Sequence, residues 1–284
     1  MCKQRLDHAT RATLPGEFIK LKCGFTHYDF SRTGSRKTAI LVHGFSTPSY
    51  IWDPTFKDLA DAGFNVLRYD LLGRGFSDRP KRDYTLDLLI EQLNQLIKAL
   101  EIQLPFQLVG LSFGAWVTTE FVNRFPEKVS SLVLVAPLVS DAPIKKPIFR
   151  NPIIGDLFFY LIFSPKWLPA SHIHDFFDET RHPDWEDRFR HQLKFEGFNQ
   201  AILSTYRHLH QVDWRLLYSQ FSKLKKPLAI IWGKEDQTIN KDEIALLTKM
   251  IPEHRLIQVE QAGHIPHFER PEIVSPILVN LLSK

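Results

Sequence analysis

The segment FQLVGLSFG, residues 106–114, decides the fold that this sequence predicts. An apolar run of strand length leads into Ser112, and a helical pattern follows it as far as Phe125. The serine stands between Gly110 and Gly114, so the segment contains the pattern G-x-S-x-G at a strand-to-helix turn. We expect such a turn to lift the serine hydroxyl above the end of the sheet, where a nucleophile is accessible.

Two backbone amides are candidates for stabilising an oxyanion beside this serine. The amide of Phe113 lies at the N-terminus of the predicted helix, where the helix dipole favours negative charge. The amide of Phe45 follows the predicted strand at 38–42, and Gly44 allows the backbone to turn there. Together the two amides predict an oxyanion hole.

A serine hydroxyl is a weak nucleophile unless a base accepts its proton. His264, which follows a predicted strand at 255–259, is the candidate base. Asp236, just past a predicted strand at 228–232, is the candidate acid that orients the histidine. Both therefore belong to the carboxyl ends of predicted parallel strands, where sites form in such sheets.

Three nearby residues allow other interpretations. Glu235 competes with Asp236 as the acid, and His267 competes with His264 as the base. His43 is a candidate for contact with substrate, but the favoured interpretation is a buried histidine that braces its loop through hydrogen bonds.

Strands and helices alternate along most of the chain. The predicted strands cover 19–30, interrupted at Gly24, and then 38–42, 64–69, 106–111, 129–136, 227–232 and 255–259. The predicted helices cover 54–62, 84–100, 113–125, 241–250 and 271–282. This succession predicts the α/β class, with a mostly parallel central sheet and helices on both of its faces.

Residues 141–215 interrupt the alternation. They contain no convincing strand and are rich in proline at first, then helical from about Trp185 to Leu217. Fourteen of these seventy-five residues are aromatic, which predicts an inserted helical cap with an apolar inner surface. We therefore expect a core made of residues 1–140 and 216–284, with the cap between its two parts.

Five motifs resemble, in order, those of the α/β-hydrolase superfamily, and the whole resembles a serine esterase or lipase-like member with a helical cap. The motifs are LVHGF at 41–45, RYDLLGRGFSD at 68–78, GLSFG at 110–114, WGKEDQTI at 232–239 and AGHIPHFERPE at 262–272. The resemblance implies that Ser112 is the nucleophile, Asp236 the acid and His264 the base. It also implies that the amides of Phe45 and Phe113 form the oxyanion hole.

A serine nucleophile with an oxyanion hole is suited to acyl transfer, whereas related dehalogenases and epoxide hydrolases carry aspartate at this position. We expect hydrolysis of a carboxylic ester with an apolar acyl chain, of the carboxylesterase or lipase type. Candidate substrate-binding residues are His43, Gly44, Phe158 and Trp167. The aromatic residues of the cap form either the acyl pocket or the cap's own core. Two alternatives stay open: a hydrolase of carbon–carbon bonds in ring-cleavage products, and a small-molecule receptor on the same fold.

Composition and charge narrow the other possibilities. The 36 basic and 32 acidic residues are scattered along the 284-residue chain and give a net charge of +4, which argues against nucleic acid as a partner. Two cysteines cannot build a disulfide framework. Without an apolar run of signal-peptide or membrane-spanning length, we expect a cytoplasmic protein, with signal-independent export left open. No metal or cofactor is implied, and peripheral membrane contact through the aromatic cap and the oligomeric state are left open.

Overall fold

The computed structural model describes residues 3–140, 147–151 and 153–284. Its eight strands are β1 Glu17–Leu21, β2 Gly24–Ser31, β3 Thr38–Val42, β4 Asn65–Tyr69, β5 Phe106–Leu111, β6 Val129–Val135, β7 Leu228–Gly233 and β8 Arg255–Val259. They form one sheet in the order β1-β2-β4-β3-β5-β6-β7-β8. Strand β2 runs antiparallel to both of its neighbours, and every pair from β4 to β8 is parallel. The predicted mostly parallel sheet is confirmed.

Helices cover both faces of this sheet. In β3, alternate residues point to opposite faces, so that Ile40 and Val42 join one apolar cluster, and Ala39 and Leu41 join the other. The first cluster includes side chains from helices Leu86–Ala99, Phe113–Arg124, Trp214–Lys223 and Lys241–Met250, and the second from Asp53–Asp61 and Pro271–Ser283. Burial on both faces explains the continuous apolar run at this strand.

The described part of the predicted cap is helical and holds an apolar cluster of its own. Its elements are Pro147–Arg150, Ile154–Phe158, the π-helical Phe159–Trp167, Leu168–Ser171, His172–Asp175, Glu179–Arg181, Trp185–His191, Gln192–Lys194 and Phe198–Leu209. Aromatic rings of Phe149, Phe159, Phe189, Phe198 and Tyr206 are buried together in this third cluster. The cap thus has a small core that is separate from the two clusters of the sheet.

The expected onset of helical structure in the cap needs correction. Helical structure begins well before Trp185, and the prolines do not prevent it. Pro169 lies in the first turn of a helix, where proline is tolerated, and Pro165 is accommodated in π-helical turns. The stretch expected to be helical from about Trp185 to Leu217 contains three α-helices, and the second begins after Gly197, whose φ is 84°. The predicted start of the cap, residue 141, lies outside the described residues.

The last of these three helices crosses the predicted boundary after residue 215. It runs over Trp214–Lys223 and packs on the helix Phe113–Arg124, with Leu217 and Phe221 in the apolar cluster of the sheet. This helix therefore packs as part of the core, while the division of the chain into core and cap stays a prediction. The short remaining helices of the core are His8–Arg11, Ser49–Trp52, Pro126–Lys128 and Pro266–Glu269.

Candidate active site

Ser112 stands at the turn between β5 and the helix Phe113–Arg124, as its sequence context predicts. Its φ is 51°, in the left-handed region that a residue with a side chain rarely adopts. The turn is held from both sides, because the Ser112 amide donates to the Val135 carbonyl at 3.0 Å and its own carbonyl accepts from the Leu138 amide at 3.1 Å. The strained serine is therefore fixed by the backbone of the neighbouring β6 and the loop that follows it.

Gly114 lets the helix after Ser112 start directly against the end of β3. A Cβ atom at this position would lie 2.5 Å from the carbonyl oxygens of both Val42 and His43. Only glycine permits so close an approach. The loop that follows β3 is thereby brought beside the serine, and the rings of Phe45 and Phe113 meet edge to face at 6.0 Å.

The loop at Phe45 is held by buried polar side chains. Arg74, completely buried, donates from Nε to the Phe45 carbonyl at 2.9 Å. His43 accepts from the Leu71 amide at Nε2, so its Nδ1 carries the proton and donates to the Gly44 carbonyl. Burial lowers the pKa of His43 to about 4, in keeping with a neutral ring. The contacts of His43 are those of the brace that the favoured interpretation describes, and its contact with substrate stays a prediction.

Within the part of the chain that the structure describes, the amides of the two candidate oxyanion donors are left available for a ligand. Phe113 is the first residue of its helix, so its amide has no acceptor within the helix. Among the described residues, neither this amide nor that of Phe45 donates to a backbone carbonyl. Both residues line the cavity above Ser112.

The candidate base and acid are hydrogen-bonded to each other. His264 Nδ1 lies 2.9 Å from Asp236 Oδ2. The second carboxylate oxygen of Asp236 accepts from the amides of Thr238 and Ile239 at 2.8 and 2.9 Å, so the carboxylate is fixed at both ends. Because a carboxylate accepts only, Nδ1 carries the proton and Nε2 is the nitrogen left to act as a base.

Two carboxylates tune the pKa of His264. Burial alone would lower this pKa, but the adjacent Asp236 and, to a smaller extent, Asp175 raise it above the ordinary histidine value by favouring the imidazolium. Ser112 and His264 line the same cavity, although within the described residues their side chains form no direct hydrogen bond. Such contacts commonly tighten only when a substrate is bound.

A segment of the cap is attached directly to the loop of His264. The His264 amide donates to the Asp175 carbonyl at 2.7 Å. The Glu269 carboxylate accepts from the amides of Gly263 and Phe177 at 2.6 and 2.7 Å. A Cβ at Gly263 would lie 2.5 Å from the Asp175 carbonyl oxygen, so this glycine makes room for the cap. We call this contact the cap clamp.

Core and cap together enclose a cavity of about 300 Å³ above Ser112. Both core and cap give it apolar lining, and the cap contributes Phe149, Phe159, Phe163, Leu168, Trp185, Ile202 and Tyr206. Its polar groups include Ser112, His264, Ser46, His172, Asp175 and Thr238. An apolar chain and a reacting polar group can therefore occupy one cavity.

Only some of the candidate substrate-binding residues line this cavity, as far as the described residues show. Gly44 lines it. Phe158 is not among the described lining residues and packs on Trp167, which is 54% exposed. Contact of Phe158 and Trp167 with substrate therefore stays a prediction, whereas Phe159 and Phe163 of the same segment line the cavity.

The rival acid and base have other contacts. Glu235 accepts from the Ala262 amide at 3.1 Å and so braces the loop that carries His264. His267 is fully buried with its ring 4.2 Å from that of Trp52. Burial lowers the pKa of His267 to about 3, which makes it a neutral packing residue.

Sequence reasoning missed the polar groups that the cap contributes. His172 Nδ1 lies 2.9 Å from Asp175 Oδ2, and the H-x-x-D spacing was the available signal for this pair. Thr238 and Ser46 line the cavity beside them. In the described part of the chain, no group of three or more His, Cys, Asp or Glu side chains is arranged to hold a metal ion.

Comparison with known proteins identifies the family. The family model described as "Alpha/beta hydrolase family" matches residues 39–277. The chain belongs to the α/β-hydrolase family. This hydrolase is 26% identical to the human monoacylglycerol lipase over 278 residues, which cover 90% of this chain and 78% of the relative. It is 24% identical to Lipase 1 of Psychrobacter immobilis over 244 residues, 81% and 72% of the two chains.

Solved structures show the same fold at low sequence identity. A meta-cleavage product hydrolase from Pseudomonas fluorescens superposes on this hydrolase with a TM-score of 0.77 and 22% identity, over 94% of this chain and 97% of the other. An esterase from Thermogutta terrifontis gives 0.79 and 19%, over 95% and 98%. At these identities the likeness concerns the fold alone.

The outer side of the cap of this hydrolase is apolar. Large apolar side chains that are more than half exposed follow one another along the segment 153–167: Ile153, Ile154, Leu157, Leu161 and Trp167. The same segment supplies Phe159 and Phe163 to the cavity. Contact of this outer face with a membrane surface stays a prediction, and no helix in the described part of the chain is long and apolar enough to cross a membrane.

Proposed function

We propose that this hydrolase cleaves carboxylic esters with an apolar acyl chain, through an acyl-enzyme on Ser112. The observation that carries the proposal is one cavity lined by Ser112, by the hydrogen-bonded His264 and by the apolar wall of the cap. The lipases among its relatives support an ester as the substrate.

The reaction begins when Ser112 Oγ attacks the ester carbonyl carbon and His264 Nε2 takes its proton. Asp236 stabilises the imidazolium through the Nδ1 hydrogen bond. The amides of Phe45 and Phe113 stabilise the oxyanion, each contributing on the order of 3 kcal/mol. The proton passes from His264 to the departing alcohol, and water then attacks the acyl-enzyme by the same steps.

The acyl chain is assigned to the apolar wall of the cavity. Burying each CH₂ group there contributes about 0.8 kcal/mol, so chain length should affect turnover strongly. The carboxylate of Asp175 in the lining disfavours an anionic substrate, such as the dienoate of a carbon–carbon hydrolase, because like charges repel at low dielectric. An uncharged ester carries no such penalty.

Hydrolysis of p-nitrophenyl esters from acetate to palmitate tests the proposal. We expect turnover to peak at a medium or long chain and to fall by several decades in Ser112→Ala, because the nucleophile is lost. The partly buried Ser219, on the helix Trp214–Lys223, provides the matched control, and Ser219→Ala should behave as the wild type. Turnover that survives in Ser112→Ala, or that is absent at every chain length, would overturn the proposal.

A further inference from the structure

A second serine–histidine–aspartate chain lies in the same cavity. Ser46 Oγ is 3.0 Å from His172 Nε2, and His172 Nδ1 is 2.9 Å from Asp175 Oδ2. All three side chains line the cavity. The proposed mechanism uses none of them.

This chain is held rigidly between core and cap. The Ser46 carbonyl accepts from the Gln192 side chain at 2.9 Å, and the His172 ring packs on that of Phe189 with centroids 4.4 Å apart. The cap clamp fixes the backbone of Asp175. The polar groups are therefore preorganised, which reduces the entropy lost when a ligand binds.

The hydrogen bonds within the chain determine what it presents to a ligand. Burial alone would raise the pKa of the Asp175 carboxyl, but the bond from His172 lowers it below the ordinary value, so the carboxylate is ionised. His172 then donates from Nδ1 and accepts the Ser46 hydroxyl proton at Nε2. Two hydrogen-bond acceptors of the chain can still bind a ligand. One is Ser46 Oγ, through its lone pairs, and the other is Asp175 Oδ1, whose only hydrogen bond in the described residues comes from Thr238 Oγ1 at 3.4 Å.

Acceptors beside a negative charge select a ligand group that donates a hydrogen bond without carrying negative charge. A hydroxyl meets this requirement, whereas a carboxylate or phosphate brings further acceptors and charge repulsion. An ammonium also donates, but removing it from water into this largely apolar cavity is costly. The rings of Phe149, Phe159 and Phe163 contact one another and give the same cavity an apolar part of its lining.

We propose that Ser46, His172 and Asp175 form a subsite for a free hydroxyl group on the alcohol part of the ester. The substrates are then esters of a diol or polyol that keep at least one hydroxyl unesterified, with the acyl chain in the aromatic cluster. This inference rests on the proposed function for its placement of the acyl chain.

Two octanoate esters of equal size test the subsite: 2-hydroxyethyl octanoate and propyl octanoate, which differ only by hydroxyl against methyl. We expect the wild type to have a kcat/KM about 10- to 100-fold higher for the hydroxyethyl ester, the range of one hydrogen bond to a buried group. In His172→Phe and in Ser46→Ala this ratio should fall to near one. Because the readout is a ratio, a general loss of activity cancels.

The matched control is His174→Phe, since His174 belongs to the same short helix but is exposed. It should keep the wild-type ratio, and a loss of the ratio in this variant would overturn the assignment to His172. Equal kcat/KM values for the two esters in the wild type would overturn the subsite while leaving ester hydrolysis intact.

Binding of the same two esters to Ser112→Ala, followed by calorimetry, separates the subsite from the reaction. Tighter binding of the hydroxyethyl ester to this variant supports the subsite. If the wild type nevertheless hydrolyses neither ester, the proposed function is overturned and the subsite is not. Equal binding of both esters to this variant would overturn the subsite.

Discussion

Two histidine–aspartate pairs each place their histidine in the lining of the cavity, His264 from the core and His172 from the cap. In both, Nδ1 lies 2.9 Å from a carboxylate oxygen. Asp236 is fixed by two further amides, whereas Asp175 has one long hydroxyl contact. The pair with His264 faces a serine strained at a strand end, and the pair with His172 faces a serine in an ordinary loop. We therefore assign reaction to one pair and recognition to the other from the backbone that holds their neighbouring serines.

Replacing each aspartate by asparagine gives the sharpest test of this difference. We expect Asp236→Asn to lower kcat by about 10⁴-fold, because the amide no longer fixes the histidine tautomer or stabilises the imidazolium. Asp175→Asn should lower kcat by less than about tenfold, because Asp236 still holds Nδ1. Steady-state rates with a p-nitrophenyl ester measure both effects. A larger loss of kcat in Asp175→Asn than in Asp236→Asn would instead assign the reaction to the pair of His172 and Asp175.

The cap wall should govern chain length without affecting the chemistry. Ile202 lines the cavity and is almost fully buried, so Ile202→Phe should reduce kcat/KM for long acyl chains by about 10- to 100-fold relative to acetate. The comparison variant is Leu161→Phe, on the exposed outer side of the cap, which should keep the wild-type profile in the ester series. An unchanged chain-length profile in Ile202→Phe would contradict the assignment of the acyl chain to this part of the cavity.

The pH profile should reveal the two carboxylates near His264. Activity needs the neutral ring, and both Asp236 and Asp175 favour the imidazolium, so kcat/KM should rise with pH through an apparent pKa above the ordinary 6.5. In Asp175→Asn one of these charges is gone, and the rise should move to lower pH by less than about one unit. A profile that does not move would mean that Asp175 has no electrostatic effect on the base.

The sheet and the placement of the candidate triad could largely be predicted from sequence because their signals are local. A strand such as Thr38–Val42 is buried throughout and mostly apolar because helices cover both of its faces. The positions of Ser112, Asp236 and His264 follow from strand ends that meet at one edge of the sheet. Each of these inferences needs only a short stretch of chain and a rule of topology.

The cap was less readable because its inner face depends on helical phase. Phe158 and Phe159 are adjacent in sequence, yet only Phe159 lines the described cavity. The π-helical turns over Phe159–Trp167 shift the phase from that of an α-helix, so spacing alone does not tell the two faces apart. Ile202 and Tyr206 reach the cavity by long-range packing, for which the sequence carries no local signal.

The cap clamp ties the evolution of a few cap residues to that of the core. The backbone of Asp175–Phe177 supplies the acceptor for the His264 amide and fills the space above Gly263, so its conformation is tied to the reaction. Among the described residues, the aromatic lining of Phe149, Phe159 and Phe163 forms no hydrogen bond with the His264 loop. Substitutions at Phe149, Phe159 or Phe163 can therefore change which acyl chain fits while the reacting groups stay as they are. Within the same cap, substitution is therefore free along the aromatic lining and constrained at the three consecutive residues Asp175–Phe177.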